Sequence, residues 1–288
     1  MLLVPVFGLW LPGSAAPLTQ DVVAVAGTPP GSPRDWVNAA AANQERIINE
    51  DGAIPVRYRI RKTDAKGSTT REVIESREGN VARLIERNGA PLTVEEDSAE
   101  RQRLQSILDS PGKFLSRRQN DREARSYALE LVRNMPRAMI WTYAPGQPQT
   151  PDARGPQVVL DFTPDPHFKP PTLVTEGLTG IAGRVWIDAR TRCVTRIAGS
   201  ILHPVDFGWG GILARINQGG TVEFEQAPLS DRRWLYSHLS EHLTVREVLV
   251  HTVRENTVMD ASDPHLLPGP ISYREAINAL LAIPVPTR

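Results

Sequence analysis

The chain has 288 residues, of which 40% are hydrophobic, so it can bury a core and is too apolar for a disordered chain. Lysine and arginine total 33, and aspartate and glutamate also total 33. This balance argues against a dedicated nucleic-acid-binding protein, which needs an excess of positive charge. The single cysteine, Cys193, excludes an internal disulfide and a zinc site built from cysteines.

The N-terminal segment contains an apolar run, Leu2 to Leu11, that has the length of a signal-peptide core and is too short to span a bilayer. Ala24-Val25-Ala26 has the form of a cleavage site, but no basic residue occurs before Arg34. The run is therefore an unusual export signal, part of a signal whose start lies upstream, or a buried apolar segment. We expect residues 1–33 to form this segment and a linker, and residues 34–288 to form a single domain.

An export signal without a lipobox cysteine predicts a location in the periplasm. We therefore expect an exported, soluble protein that is not an integral membrane protein and has no lipid anchor of its own.

The first half of the predicted domain begins with a helix and continues as an antiparallel meander. A helix is predicted from Asp35 to Asn49, where four alanines favour it and Asp51-Gly52 ends it. Apolar and charged residues then alternate from Val56 to Arg61, which is typical of a strand with one buried face. Turn residues separate two further strands, Thr70 to Ser76 and Val81 to Glu86.

Two helices are predicted to follow the meander. Thr93 and Glu96 fit a capping box ahead of a helix from Ala99 to Leu108, and a second helix spans Asp121 to Asn134. The rest of the chain is almost entirely strand-like until a last helix from Ser272 to Ala282. The strand segments predicted there are Val158–Phe162, Gly183–Asp188, Cys193–Leu202, Thr221–Gln226 and Arg233–Arg254.

An antiparallel sheet of about eight or more strands must bury one of its faces, and large antiparallel sheets curl. The fold class that we predict is α+β, in which a strongly curved antiparallel β-sheet, a half-open barrel, covers a few α-helices.

One segment matches a catalytic motif. His238-Leu239-Ser240-Glu241-His242 has the H-x-x-E-H form of a zinc protease, which needs both histidines and the glutamate on one helical face. The flanking residues alternate as in a strand, where His238 and His242 share one face and Glu241 points to the other. Ordinary strand residues are the main interpretation, and a metal-dependent hydrolase that uses the His238 region is a weak alternative.

Two smaller features also have simple explanations. Asp161, Asp165 and His167 lie in a proline-broken segment, where such residues more often bond the backbone or face water than bind a metal. Cys193 lies among arginines, but a lone strand cysteine is usually a small buried hydrophobe. The chain also lacks a phosphate-binding glycine loop and a nucleophile elbow. We therefore predict no catalytic residue, no metal and no cofactor.

The first predicted strand carries a basic stripe, which consists of Arg57, Arg59, Arg61, Lys62 and Lys66. Such a stripe could contact lipid headgroups or an acidic partner. In the simpler interpretation it is a solvated face that discourages edge pairing and is neutralised by Glu72, Glu75 and Glu78 on neighbouring strands.

The apolar side of the predicted strands is more informative. It forms either a filled core against the helices or the lining of a cavity for an acyl chain, which needs no catalytic group. The candidates for lining this cavity are Val56, Tyr58, Ile60, Val185, Ile187, Ile197, Ile201, Val222 and Phe224.

Two stretches in the second half of the chain have a distinctive form: Gly183-Arg184-Val185-Trp186-Ile187-Asp188 continuing through Arg190-Thr191 to Val194-Thr195-Arg196-Ile197, and Gly219-Gly220-Thr221-Val222-Glu223-Phe224-Glu225 followed by Trp234 and a long hairpin. They resemble the paired strands of a known family, the outer-membrane lipoprotein carrier (LolA-like) superfamily. The resemblance is to members described as lipoprotein-sorting-like. It covers residues 180–255 and extends to the first half only in layout.

This resemblance implies a half-open barrel with a lid of helices, a periplasmic location and an apolar cavity that takes up lipid or lipoprotein acyl chains. We therefore expect a non-enzymatic periplasmic binding protein whose helices between Thr93 and Asn134 gate the cavity. Family members with the same fold also act as envelope sensors through partner proteins. The alternative is accordingly a sensor or interaction module with a filled core and an envelope protein as its partner.

Overall fold

The computed structural model of the chain describes residues 29–50, 53–208, 213–247, 251–286 and 288. The apolar run and the predicted cleavage site lie outside these residues, as does the turn at Asp51-Gly52, so the export signal stays a prediction. Every helix of the described residues falls short of the length or apolar character that a membrane crossing requires.

The described residues form five α-helices, one 3₁₀ turn and thirteen strands. The helices are α1 Pro33–Glu50, α2 Val94–Asp109, α3 Gly112–Ala138, α4 Leu173–Glu176 and α5 Tyr273–Ala282, with the 3₁₀ turn at Gly177–Thr179. The strands are β1 Val56–Asp64, β2 Gly67–Ser76, β3 Gly79–Arg87, β4 Ala90–Pro91, β5 Met139–Tyr143, β6 Gln157–Pro164, β7 Ile181–Asp188, β8 Val194–Ile201, β9 Val205–Phe207, β10 Ala214–Ile216, β11 Thr221–Pro228, β12 Trp234–Glu247 and β13 His251–Leu266.

These strands form one antiparallel sheet in the order β4-β3-β2-β1-β13-β12-β11-β8-β7-β6-β5. The short strands β9 and β10 pair with each other, and β10 extends the sheet along the last residues of β12. The two ends of the sheet, β4 and β5, are not paired with each other, so the sheet is curved and open. The predicted α+β class with a large antiparallel sheet is confirmed.

Most of the elements were predictable from local patterns. The segment predicted as strand from Arg233 to Arg254 contains β12 and only the start of β13, which continues to Leu266, and the other differences are at short or uninterrupted segments. The capping box of Thr93 and Glu96 is present at the start of α2. Helix α3 begins at Gly112 rather than Asp121, and the strand β5 follows its last residue directly. Because no turn residue separates α3 from β5, the sequence pattern did not indicate this strand.

Helix α1 lies on the concave face of the sheet. Its buried residues Trp36, Val37 and Ala40 pack against β6, β7 and β8, where Leu160 and Ile187 are fully buried. This packing follows from the amphipathic pattern of α1, whose apolar residues recur at helical spacing.

Helix α5 packs on the opposite face of the sheet. Ile74 of β2 contacts α5, whereas its neighbour Val73 faces Tyr58, and successive strand residues point to opposite faces. Of the two helices predicted to gate the cavity, only α3 borders it, because α2 lies against α5 and the edge of β3.

The edge of β3 is covered by two side chains of α2. The Glu100 carboxylate accepts a hydrogen bond from the Leu84 N–H at 2.7 Å, and Arg103 donates to the Ala82 carbonyl at 2.6 Å. These bonds satisfy backbone groups that would otherwise be free to pair with another chain.

Candidate functional site

A cavity of about 1460 Å³ lies between the concave face of the sheet and the helices α1 and α3. Strands β1, β2, β3, β5, β6, β7, β8, β11 and β12 contribute to its wall. Strand alternation and the curvature of the sheet place apolar residues of distant strands around one space. The cavity is the candidate ligand site of this protein.

Six of the nine predicted lining residues lie on this wall: Tyr58, Val185, Ile187, Ile197, Val222 and Phe224. Ligand binding by them stays a prediction.

The other three predicted residues do not border the cavity. Val56 is fully buried, and Ile60 packs with it in a cluster that fills the concave face near β1. Ile201 belongs to a separate cluster formed with Val205 and Phe207 of β9 and with β10, two strands that the sequence pattern did not indicate. These positions are on the predicted faces, but neighbouring elements fill the space in front of them.

Sequence reasoning did not include the residues that the helices, β5, β6 and the 3₁₀ turn bring to the wall. The main ones are Ala40, Gln44, Leu131, Met135, Trp141, Phe162 and Leu178. A helical signal existed for α3, because Ala124, Ala128 and Leu131 fall on one face. The sequence did not show that this face borders a cavity.

The two ends of the cavity differ in polarity. At one end, Phe162 and Leu178 are buried and Trp141, Leu131 and Met135 pack against them. The other end is bordered by charged residues of the β2–β3 turn and by the first half of α3. The cavity therefore has the polarity of an amphiphile, with an apolar end and a charged mouth.

A buried ion pair lies on the wall between β2 and β12. Glu75 and Arg233 are 7% and 5% exposed, and the Arg233 guanidinium donates a hydrogen bond to the Glu75 carboxylate. The same carboxylate accepts from the Val56 N–H at 3.0 Å. Burial, together with the negative charge of Glu75, raises the pKa of Tyr236, whose ring packs edge-to-face on Tyr58 with 6.4 Å between centroids.

Glu241 is a second carboxyl group on the cavity wall. It is 6% exposed, and within the described residues no side chain or backbone donor bonds to its carboxyl. Burial, with a smaller contribution from the negative charge of Glu255, raises the pKa of Glu241 to about 7. Near neutral pH this carboxyl can therefore carry a proton and donate a hydrogen bond to an oxygen inside the cavity.

The H-x-x-E-H segment lies in the middle of β12, as the alternation predicted. His238 and His242 point away from the cavity, where their Nδ1 atoms lie 2.7 Å from Asp260 and 3.3 Å from Asn256. Glu241 lies on the opposite face, so the three side chains do not converge. In the part of the chain described, no group of three potential metal ligands is found.

The smaller predicted features have simple environments. Asp161 pairs with Arg184 at 2.6 Å, and the Asp165 side chain accepts from the His167 N–H at 2.8 Å in an exposed loop. Cys193 is a buried residue of the core, as predicted, and burial raises the pKa of its thiol.

The residues of the basic stripe do not all lie on one face of β1. Arg57 and Arg59 pair with Glu72 at 2.5 and 3.0 Å, which confirms neutralisation by that residue. Lys62 is buried on the other face and pairs with Asp64, because adjacent strand residues alternate.

Comparison with known proteins adds little to this geometry. No family model and no curated protein matches the chain. Among solved structures, the chain is similar to a domain from Vibrio parahaemolyticus described as an outer membrane lipoprotein-sorting protein domain, with 10% identity, coverage of 84% of this chain and 97% of that chain, and a TM-score of 0.29. A TM-score this low does not establish a common fold, so membership of the LolA-like superfamily stays a prediction.

Proposed function

We propose that this protein is a non-enzymatic binding or carrier protein that takes an acyl chain of a lipid or lipoprotein into the cavity. The observation that carries the proposal is the cavity itself, about 1460 Å³ in volume, with a wall made mainly of aliphatic and aromatic side chains. Sites for drug-sized ligands measure about 300–1,000 Å³, so this space suits a longer apolar ligand.

The wall favours an acyl chain over a polar ligand. Burial of apolar surface contributes about 25 cal/mol per Å² to the free energy of binding, and this contribution requires no hydrogen bond from the protein. The apolar end formed around Phe162, Leu178 and Trp141 has few polar atoms to recognise a sugar or a nucleotide. A hydrocarbon chain would contact this end at little polar cost, because the buried Trp141 Nε1 already lacks a hydrogen-bond partner among the described residues.

The way the cavity is closed supports a carrier role. Its cover consists of helices, and α3 is tied to α1 by an exposed ion pair between Arg133 and Glu45. Movement of α3 would break side-chain contacts while the backbone ladders of the sheet stay intact. We propose that α3, rather than both predicted helices, gates the cavity.

The apolar run at residues 2–11 supports a location in the periplasm, which we include in the proposal. A sensor or interaction module with a filled core is less well supported, because the concave face borders a large open space.

Native mass spectrometry of the full chain, together with lipid extraction of the same sample, tests the proposal. A fatty acid or phospholipid at near one-to-one ratio is expected. Val222→Asp, which places a charge on the cavity wall, should lose this lipid. Thr221→Asp, the adjacent exposed position on the other face of β11, is the matched control and should retain it.

Two results would contradict the proposal. One is a lipid-free wild-type chain that also fails to bind added fatty acids and phospholipids. The other is a folded Val222→Asp variant that still carries lipid. If Val222→Asp does not fold, Leu131→Asp on the half-buried face of α3 tests the same wall without touching the sheet.

A further inference from the structure

The first half of α3 borders the mouth of the cavity but packs against almost nothing. Phe114 is buried, with its ring 5.4 Å from that of Tyr273 in α5, and it anchors the start of the helix. All residues from 115 to 124 are exposed. Burial therefore does not explain which side chains this half of the helix carries.

The charges at this mouth are strongly unbalanced. Apart from the buried Glu75–Arg233 pair and Glu241 of β12, the charged residues of the cavity lining are five arginines and two carboxylates, which leaves a net charge of +3: Arg77, Arg117, Arg118, Arg122, Arg125, Glu78 and Asp121. One of these arginines, Arg77, pairs with Glu275 of α5 at 3.9 Å. The whole chain has a formal net charge of zero. Positive charge is therefore concentrated where a ligand would enter.

Three of these arginines, Arg117, Arg118 and Arg122, form no ion pair with a carboxylate of the described residues, although Asp121 is a neighbour of Arg117 and Arg118 on the helix. The Glu78 carboxylate caps α5, where it accepts a hydrogen bond from the Tyr273 N–H at 2.8 Å.

The spacing of these arginines works against the helix. Arg118 and Arg122 are four residues apart and Arg122 and Arg125 are three apart, so like charges are neighbours on one helical face. Asp121 is three residues from Arg118 and offsets part of this repulsion, but neither Arg118 nor Arg122 forms an ion pair in the described part of the chain. A bound anion would offset the rest of the repulsion.

We infer that the ligand is an anionic amphiphile, whose acyl chains occupy the apolar end of the cavity while its phosphate-bearing head lies against Arg117, Arg118 and Arg122. This inference rests on the proposed function and specifies the class of lipid. Guanidinium groups form bidentate, charge-assisted hydrogen bonds with phosphate. An exposed mouth lets the head keep part of its hydration, so burial of the arginines is not required.

The test compares two lipids that share their chains and differ in net head charge. Dioctanoyl phosphatidylglycerol and dioctanoyl phosphatidylcholine are titrated separately into the full chain in low-salt buffer by isothermal calorimetry. The anionic lipid is expected to bind about tenfold more tightly, and added salt should reduce this preference by screening.

A charge-matched pair of variants locates the preference. Arg117→Gln, Arg118→Gln and Arg122→Gln combined should bind the two lipids alike. Lys66→Gln, Lys169→Gln and Arg190→Gln combined remove the same number of charges at exposed positions away from the cavity, and this control should keep the tenfold preference. Circular dichroism confirms that both variants are folded.

Each other result has a defined meaning. Equal affinity of the wild-type chain for both lipids, or a preference that survives the α3 substitutions, overturns this inference and leaves the proposed function standing. No binding of either lipid overturns both. If Val222→Asp still binds the anionic lipid, the arginines hold headgroups at the surface without chain uptake, and the inference is wrong.

Discussion

Glu241 of β12 lies directly opposite Val222 of β11, and both side chains face the cavity. A carboxyl group thus lies beside an aliphatic group on a wall that is otherwise mainly apolar. Its environment favours the neutral acid, because burial penalises the charged form.

Glu241→Gln should make the fold less sensitive to pH. The folded-state pKa of about 7 lies above the ordinary value of 4.5, so the proton stabilises the fold fully below pH 4.5 and this stability is lost as the pH rises to 7. The loss amounts to about 3 kcal/mol. The free energy of unfolding in urea should be measured for the variant and the wild-type chain at pH 5 and pH 8. The variant should gain stability relative to the wild-type chain, and this gain should be larger at pH 8. An equal difference at the two pH values would contradict the pKa assigned to Glu241.

Removal of Arg233 should strongly destabilise the fold. Arg233→Met removes the cation that pairs with the buried Glu75 carboxylate, which is expected to cost about 3–5 kcal/mol. Glu75→Gln removes the other partner of this ion pair and should have a similar effect. In a double-mutant cycle by urea unfolding, the double variant should lose much less than the two single losses combined, and additive losses would mean that the pair is not coupled.

Arg83 should contribute far more to stability than Arg101, although both bind Asp97. Arg83 is fully buried and donates to Asp97 at 2.7 Å and to the carbonyls of Leu280 and Ile283 at 2.7 and 2.9 Å. Arg83→Met should therefore cost about 3 kcal/mol or more, since it leaves buried acceptors unpaired. The Arg101 side chain is 43% exposed, and Arg101→Met should cost less than about 1 kcal/mol. Similar losses in thermal unfolding would refute this account.

Gly183→Ala should disturb the wall of the cavity. Gly183 pairs with Gly199 across β7 and β8, and a Cβ at Gly183 would lie 2.1 Å from the Ala198 carbonyl oxygen. The strands would have to separate, at a cost of about 1–3 kcal/mol. Gly155→Ala, where the nearest atom would be 3.8 Å away, is the control and should change stability by less than about 0.5 kcal/mol in urea unfolding.

Sequence reasoning succeeded where the signal is local. Alternation from Val56 onward indicated β1, and Thr93 with Glu96 indicated the start of α2, because these patterns depend on a few neighbouring residues. It failed for β5, which follows α3 without a turn, and for β9 and β10, which have three residues each. Strands this short do not show a periodicity.

The candidate site shows the same division. Alternation alone separates Glu241 from His238 and His242, since a strand places neighbouring residues on opposite faces. Which apolar residues border open space required the tertiary structure, because Val56 and Val222 follow the same pattern yet only Val222 lies on the cavity wall.

The sequence by itself thus determined the fold class, most elements and the face on which each strand residue lies. Only the tertiary structure decided where the concave face is filled, that the buried Glu241 carboxyl has no hydrogen-bond donor among the described residues, and that the arginines of α3 stand at the mouth of the cavity. The physical reason is that periodicity fixes the direction of a side chain relative to its own strand or helix. What lies opposite that side chain depends on contacts between residues far apart in the chain.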